Sequence, residues 1–426
     1  MQRAVAALVA EGRVETRPGV GNFVAAARIP RRRDASWQAA ALGPPRRGVP
    51  EQAGSGLRGV PDDTIALHSG YPLPELQAGP LVATAISRAA RDPAASRPAP
   101  SMGMAPLRHL IASELASAAA QCDIVSDDVL VTSGGQAALV AAFRGLARPG
   151  DTVVMESPTF WGAIAAAGEA GLTVVPVASR PDGPDPAELE RAVAMHQARV
   201  IYAQPTWANP TGTTWSPTAR SAVFDILSAH GAFLIEDDWA RDLSLDGQPP
   251  GPLISRDTDG HIVYIRSLTK SMTPSVRVAG LVARGPAMHR IRASRWAADL
   301  YVSPVLQLAA AEVLAAAAWQ RHLTGMRHEL LTRRDALIGA VGRHAPLADL
   351  PRVPRGGLSL WLRLPEWADA VTVAARCLHD GVAVSAGDEW FPAEPDGPHL
   401  RLGYAAAPPD QFDRAAQVIG RVLDRP

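Results

Sequence analysis

Ser267-Leu268-Thr269-Lys270, with Arg277 seven residues further on, follows a short apolar run at 262–266 that reads as a buried strand. Its lysine decides the reading of the rest, because it is the only lysine among 42 basic side chains. Arginine can do most of the structural work of lysine. A chain that has otherwise gone over to arginine keeps a lysine where an amine is needed. A guanidinium stays protonated and forms no imine, whereas an amine can be tuned by its surroundings into a nucleophile. One chemistry for this frame is the Ser-x-x-Lys of serine acyltransferases such as β-lactamases, with Ser267 as nucleophile. That device needs a later Lys-Thr-Gly strand, which a chain with one lysine cannot supply.

Outward from Lys270 the chain alternates short strands (129–132, 152–155, 173–177, 200–204, 233–236, 262–266 and 278–282) with helical stretches such as 137–146, 188–195 and 219–230. The alternation predicts an α/β fold, a mostly parallel sheet with helices on both faces, and ligands beyond the carboxyl ends of its strands. After a helical region at 287–341, strands at 358–364, 382–385 and 399–404 predict a smaller C-terminal α+β domain. Across 426 residues, 47% hydrophobic and 20% charged with 42 acidic groups against the 42 basic ones, disorder and collagen are excluded. A membrane span is not expected, since the longest apolar candidate, 309–319, is interrupted by Glu312. Cys122 and Cys377 are too few for a disulfide framework, which fits a reducing, cytoplasmic setting. No metal site is expected.

A pyridoxal phosphate site accounts for Lys270 and asks for several further parts. The phosphate wants backbone amides at a helix start, and Gly134, Gly135 and Gln136 stand between a strand and a helix. The pyridine nitrogen wants a carboxylate, for which Asp237, just past the strand 233–236, is placed. The phenolic oxygen wants a neutral donor, and Asn209 in Asn209-Pro210-Thr211-Gly212 follows the strand ending at Gln204. The ring face wants an aromatic cover, which Phe160 could supply. Ser267 and Arg277 would add a hydroxyl and a guanidinium to the phosphate contacts. Each part alone is an ordinary turn, cap or loop; their order and strand-end placement around a solitary lysine make the combination specific.

The chain from about residue 64 resembles the fold-type I aminotransferases of class I/II. The matching runs are Val131-Thr132-Ser133-Gly134-Gly135-Gln136, Pro149-Gly150-Asp151, Asn209-Pro210-Thr211-Gly212, Glu236-Asp237-Asp238, Ser267-Leu268-Thr269-Lys270 and Arg401-Leu402-Gly403-Tyr404. The resemblance implies that Lys270 holds the cofactor as an aldimine and moves the proton between Cα and C4′. It implies that Arg401 clamps a substrate α-carboxylate, with Asn209 also counted among the substrate contacts, and that the protein is a homodimer with active sites at the interface. Three positions depart from the pattern. Trp239, counted among the cofactor contacts, stands where a tyrosine hydroxyl usually reaches the cofactor. Pro98 replaces a tyrosine that usually comes from the partner, and Thr206-Trp207-Ala208 replaces a histidine-glutamine pair. These departures predict weak turnover.

The first 60 residues carry 10 arginines against 4 acidic residues, a net charge of +6. A helix at 2–10 and strands at 13–17 and 22–25 around Pro18-Gly19-Val20-Gly21 resemble the end of the recognition helix and the wing of a GntR-type winged helix-turn-helix. The expected organisation is a partial head over 1–26, an Arg/Pro/Gly-rich linker over 27–63, a large cofactor domain over 64–320 and a small domain over 321–426. Together these resemble MocR-type regulators, which implies that the body senses an amino acid or amine effector to control transcription; the alternative is a free-standing aminotransferase. Because Met1 falls inside the recognition helix, specific DNA binding is expected only if the bracing helices are present.

Overall fold

The computed structural model describes residues 2–25, 41, 54–119 and 122–424. The chain falls into two units, 1–45 and 46–426. In the first, helix α1 (Gln2–Ala10) precedes strands β1 (Val14–Arg17) and β2 (Gly21–Val24), paired antiparallel with Arg17 opposite Gly21. Gly19 at φ 76° and Gly21 at φ 140° make the hairpin turn. Most of the expected linker, including Arg28, Arg31, Arg32, Arg33, Arg46 and Arg47, lies outside the described residues.

The second unit opens with β3 (Ile65–Ala66), α2 (Gly79–Ala89) and α3 (Ala105–Ala116). There follow β4 (Val129–Thr132), α4 (Gly135–Leu146), β5 (Thr152–Ser157), α5 (Trp161–Glu169), β6 (Thr173–Ala178), α6 (Pro186–His196), β7 (Val200–Ala203), α7 (Pro217–His230), β8 (Phe233–Asp238), β9 (Ile262–Ser267) and β10 (Ala279–Val282). The seven strands β4 to β10 make one sheet in the order β4-β10-β9-β8-β7-β5-β6, in which β10 alone runs antiparallel to its neighbours. Alternate residues of each strand feed opposite cores, as the two-residue period of a strand requires. Val131, Val154, Ile201, Leu234 and Tyr264 join one core with α2, α3, α6 and α7, while Leu130, Val153, Val200, Ile235 and Ile265 join the other with α4 and α5. Both faces are therefore covered, which is why the strands read as continuous apolar runs. The architecture is the mostly parallel α/β sheet with helices on both faces that the sequence predicts.

The helical region expected at 287–341 is three helices, α8 (Gly285–Asp299), α9 (Pro304–Ala315) and α10 (Ala317–His344). Pro304 has no amide hydrogen to continue a helix, so a new one starts there. Helix α10 joins two cores: Trp319 and Leu323 pack into the first, Leu330 and Leu337 into that of the C-terminal region. That region holds β11 (Ser359–Arg363), α11 (Ala370–His379), β12 (Val382–Ala383), β13 (Ser385–Ala386), β14 (His399–Gly403) and α12 (Phe412–Leu423). The strand expected at 382–385 is two pieces: β12 pairs in parallel with β3, then the chain changes sheets and β13 pairs antiparallel with β14. Two strand ends differ in a way that touches the site. Asp237 and Ser267 are the penultimate residue of β8 and the last of β9, not residues beyond them, because the sheet pairing continues to Asp238 opposite Arg266.

Candidate active site

The carboxyl ends of β8 and β9, the amino end of α4 and the turn after β7 meet around one cavity of about 310 Å³. Lys270, Asp237, Asn209, Phe160, Trp239, Ser267, Arg277, Arg401, Gly135 and Gln136 all line it. Gly134 caps α4 at φ 93°, a conformation costly for other residues, and a Cβ there would stand 3.0 Å from Arg277 Nη2. A Cβ on Gly135 would lie 3.8 Å from Ser267 Cβ, so the glycines bring backbone, hydroxyl and guanidinium to one end of the cavity. The Gln136 side chain donates to Gly162 O at 2.7 Å, fastening the start of α4 to the first turn of α5, just after Phe160.

Lys270 Nζ lies 3.3 Å from the centroid of the Tyr71 ring. Among the described residues no carboxylate pairs with it. Enclosure, reinforced by the Arg401 and Arg277 cations, pushes the amine down from 10.5 to about 7. Near neutral pH a large fraction is therefore unprotonated and nucleophilic. Asp237 accepts hydrogen bonds from Tyr202 Oη at 2.8 Å and Gln204 Nε2 at 2.9 Å. Burial raises its carboxyl to about 6 against the opposing pull of those two donors. A cationic ring nitrogen beside it would lower it again, because an opposite charge favours the ionised form. Gln204 also accepts from Asn209 N at 2.8 Å, so one amide orients both the carboxylate and the turn.

At the other end Arg401, 3% exposed, donates from Nε to Asn209 Oδ1 at 3.1 Å, and its guanidinium lies 5.6 Å from the Trp390 ring centroid. Burial lowers it to about 10, with Glu389 opposing, so it stays a cation. Trp239 donates its indole hydrogen to Trp207 O at 3.0 Å. Two of the departures noted in the sequence are thus one contact, a tryptophan pair accommodated by Gly356, whose Cβ would meet the Trp207 ring at 2.5 Å. Tyr71, Tyr202, Gln204, Trp161 and Trp390 escape the sequence reading. Gln204 carried a signal, since it directly follows a strand at the ligand-bearing edge; Tyr202 reads only as strand interior, and Tyr71 belongs to no periodic element. Gly56 and Leu57, inside the expected linker, line the site too, and beside them Ser55 donates its amide to Glu389 Oε2 at 2.8 Å and its hydroxyl to Oε1 at 2.6 Å.

The family model for aminotransferase class I and II matches residues 63–419. An HTH-type transcriptional regulator of Bacillus subtilis is 25% identical over 321 residues, 75% of this chain and 66% of that protein, so the chain spans just under two thirds of that relative. The 2-aminoadipate transaminase of Thermus thermophilus is 28% identical over 364 residues, 84% of this chain and 90% of the relative. Among solved structures, an α-aminoadipate aminotransferase of Thermus thermophilus, complexed with N-(5'-phosphopyridoxyl)-L-leucine, superposes with a TM-score of 0.80 at 26% identity, covering 88% of this chain and 95% of that one.

Proposed function

The chain belongs to the aminotransferase class I and II family, whose cofactor is pyridoxal phosphate, and from that premise we propose that it holds the cofactor at Lys270 and senses an amino acid or amine, as a transcriptional regulator of the MocR type. The carrying observation is that Lys270, Arg277 and Arg401 line one cavity and, among the described residues, none of the three is in an ion pair. A cavity lined by two guanidinium groups outside any ion pair, with an amine tuned toward its neutral form, suits a ligand bearing a phosphate, a carboxylate and a carbonyl. The residues present fit the cofactor, which when bound supplies a carbonyl for amines and a cationic ring that takes up electron density.

The protein's own groups divide the work. Gly134, Gly135, Gln136, Ser267 and Arg277 take the phosphate, with the positive end of α4 behind it. Asp237, held by Tyr202 and Gln204, pairs with the ring nitrogen, and Phe160 covers the ring. Arg401 and Asn209 take the α-carboxylate of the ligand. Lys270, low enough in pKa to exchange its proton near pH 7, removes or returns a proton at the ligand Cα. Trp239 brings no hydroxyl to the cavity and its indole hydrogen is spent on Trp207, which favours binding over turnover.

The regulator reading draws support from several relatives named as HTH-type transcriptional regulators and from the helix and hairpin of residues 2–24. The reading as a free-standing aminotransferase, with the same residues, draws on the 2-aminoadipate transaminase, 90% of which is covered. Turnover separates them. With an amino donor and 2-oxoglutarate, a regulator gives at most slow half-reactions, and sustained cycling on the order of 1–10³ per second would overturn the preference. Under the regulator reading the protein is a cytoplasmic homodimer.

A further inference from the structure

Resting on the reading above, we propose that the ligand is an amino acid with an aromatic or large apolar side chain, selected by stacking against Trp161. The cations of the cavity are already committed. Arg277 stands beside Gly134, Arg401 is hydrogen-bonded to Asn209 at the opposite end, and Lys270 lies between them. Among the described residues no fourth cation lines the cavity.

What adjoins Arg401 instead is indole. Its guanidinium lies over Trp390, which meets Trp361 at 6.0 Å between centroids, and Trp161 packs against the same cluster. Thr159 N donates to Trp390 O at 2.8 Å, tying the two stretches that carry these rings. Trp161 lines the cavity, and Gly54 packs so close to its ring that a Cβ there would fall 2.6 Å from it. Leu57 then follows on the one-turn segment Ser55–Leu57, held by its hydrogen bonds to Glu389.

A second carboxylate on the ligand would lose water against this wall, which among the described residues presents rings and Leu57 rather than a cation. It would also meet the negative faces of the rings. An apolar ring or branched chain meets surfaces that favour it, through burial of area and offset stacking. The carboxylate clamp therefore recognises what all α-amino acids share, and the tryptophan wall discriminates among them.

The test is a titration of the full chain, reconstituted with pyridoxal phosphate, by L-phenylalanine, L-leucine, L-alanine, L-glutamate and L-2-aminoadipate, following the visible absorbance of the bound cofactor. L-phenylalanine should bind at least about tenfold more tightly than either dicarboxylic amino acid. In Trp161→Ala the preference for L-phenylalanine over L-alanine should fall about tenfold, and in Trp161→Phe it should be largely retained. Equal or tighter dicarboxylate binding, an unchanged preference in Trp161→Ala, or a cofactor band that no amino acid shifts would each overturn this inference alone. A protein that develops no band with the cofactor would overturn the proposed function with it.

Discussion

An enclosed primary amine facing two guanidinium groups is a different reagent from a surface lysine. With Lys270 lowered to about 7, the rate at which cofactor-free protein captures pyridoxal phosphate should rise as pH passes through about 7 and then level off. A capture rate that climbs steadily to pH 10 would contradict the enclosed, repelled amine. The same shift has a stability consequence. Between about 7 and 10.5 the unfolded chain binds a proton at Lys270 that the folded chain does not, so unfolding free energy rises with pH in that window, by at most about 1.4 kcal/mol per unit. Cofactor-free Lys270→Met should therefore melt higher than the parent at pH 7, and the gap should close toward pH 10.5. At Asp237 the prediction is graded. Asp237→Ala removes a charge-assisted contact of about 1.5–3 kcal/mol and should weaken cofactor binding roughly ten- to a hundredfold. Gln204→Leu leaves the carboxylate with Tyr202 alone and should cost less, and equal losses by equilibrium dialysis would contradict that ranking. Lys270 could be found in the sequence because its chemistry shows in what arginine cannot replace. Gln204 and Tyr202 could not be given roles there, because a side chain's partner depends on neighbouring strands set by the fold: β7 and β8 pair Ala203 with Glu236.

At the scale of elements, the amino end of α4 does its work through an absence of side chains. Gly134→Ala would place a methyl 3.0 Å from Arg277 Nη2 at a backbone angle that alanine adopts at a cost. Cofactor affinity should fall roughly tenfold or more, and the cofactor-free protein should also melt lower, because backbone strain of about 1–3 kcal/mol is present before any ligand binds. Gly356→Ala drives a methyl to 2.5 Å from the buried Trp207 ring and should cost about 1–3 kcal/mol by overpacking. Thermal unfolding of both variants checks these costs, only Gly134→Ala should also weaken cofactor binding, and a stable Gly356→Ala would show that the tryptophan pair is loosely held. The seven strands of the main sheet could be read to within a residue or two, because a strand buried on both faces is a continuous apolar run between turns. The two-residue strand β3 could not, and β12 and β13 read as the single strand 382–385, since two residues carry no period and the pairing of β3 with β12 joins residue 65 to residue 382.

On the scale of the whole molecule, the proposed dimer would couple the cofactor cup to a surface exposed on the single chain. Ser133, next to Gly134, donates its hydroxyl to Asp299 at 2.7 Å, the last residue of α8. Around that residue Trp296 and Leu300 are each 58% exposed and Tyr301 is 41% exposed, a cluster of large apolar side chains at the end of one helix. Leu300 is held at φ 57°, a left-handed conformation that costs a branched residue of order 1–3 kcal/mol and persists only where the surroundings enforce it. Clustered exposed apolar groups of this size mark an interface. Under the proposed function its occupant would be a second copy of the chain. A dimer covering these side chains would brace Asp299, and through Ser133 the loop that seats the phosphate. Trp296→Asp should then shift the protein from dimer toward monomer in sedimentation velocity and weaken cofactor binding in parallel, although residue 296 does not line the cavity. A monomeric parent protein would refute the dimer, and a monomeric variant with undiminished cofactor affinity would show that assembly and the cup are independent.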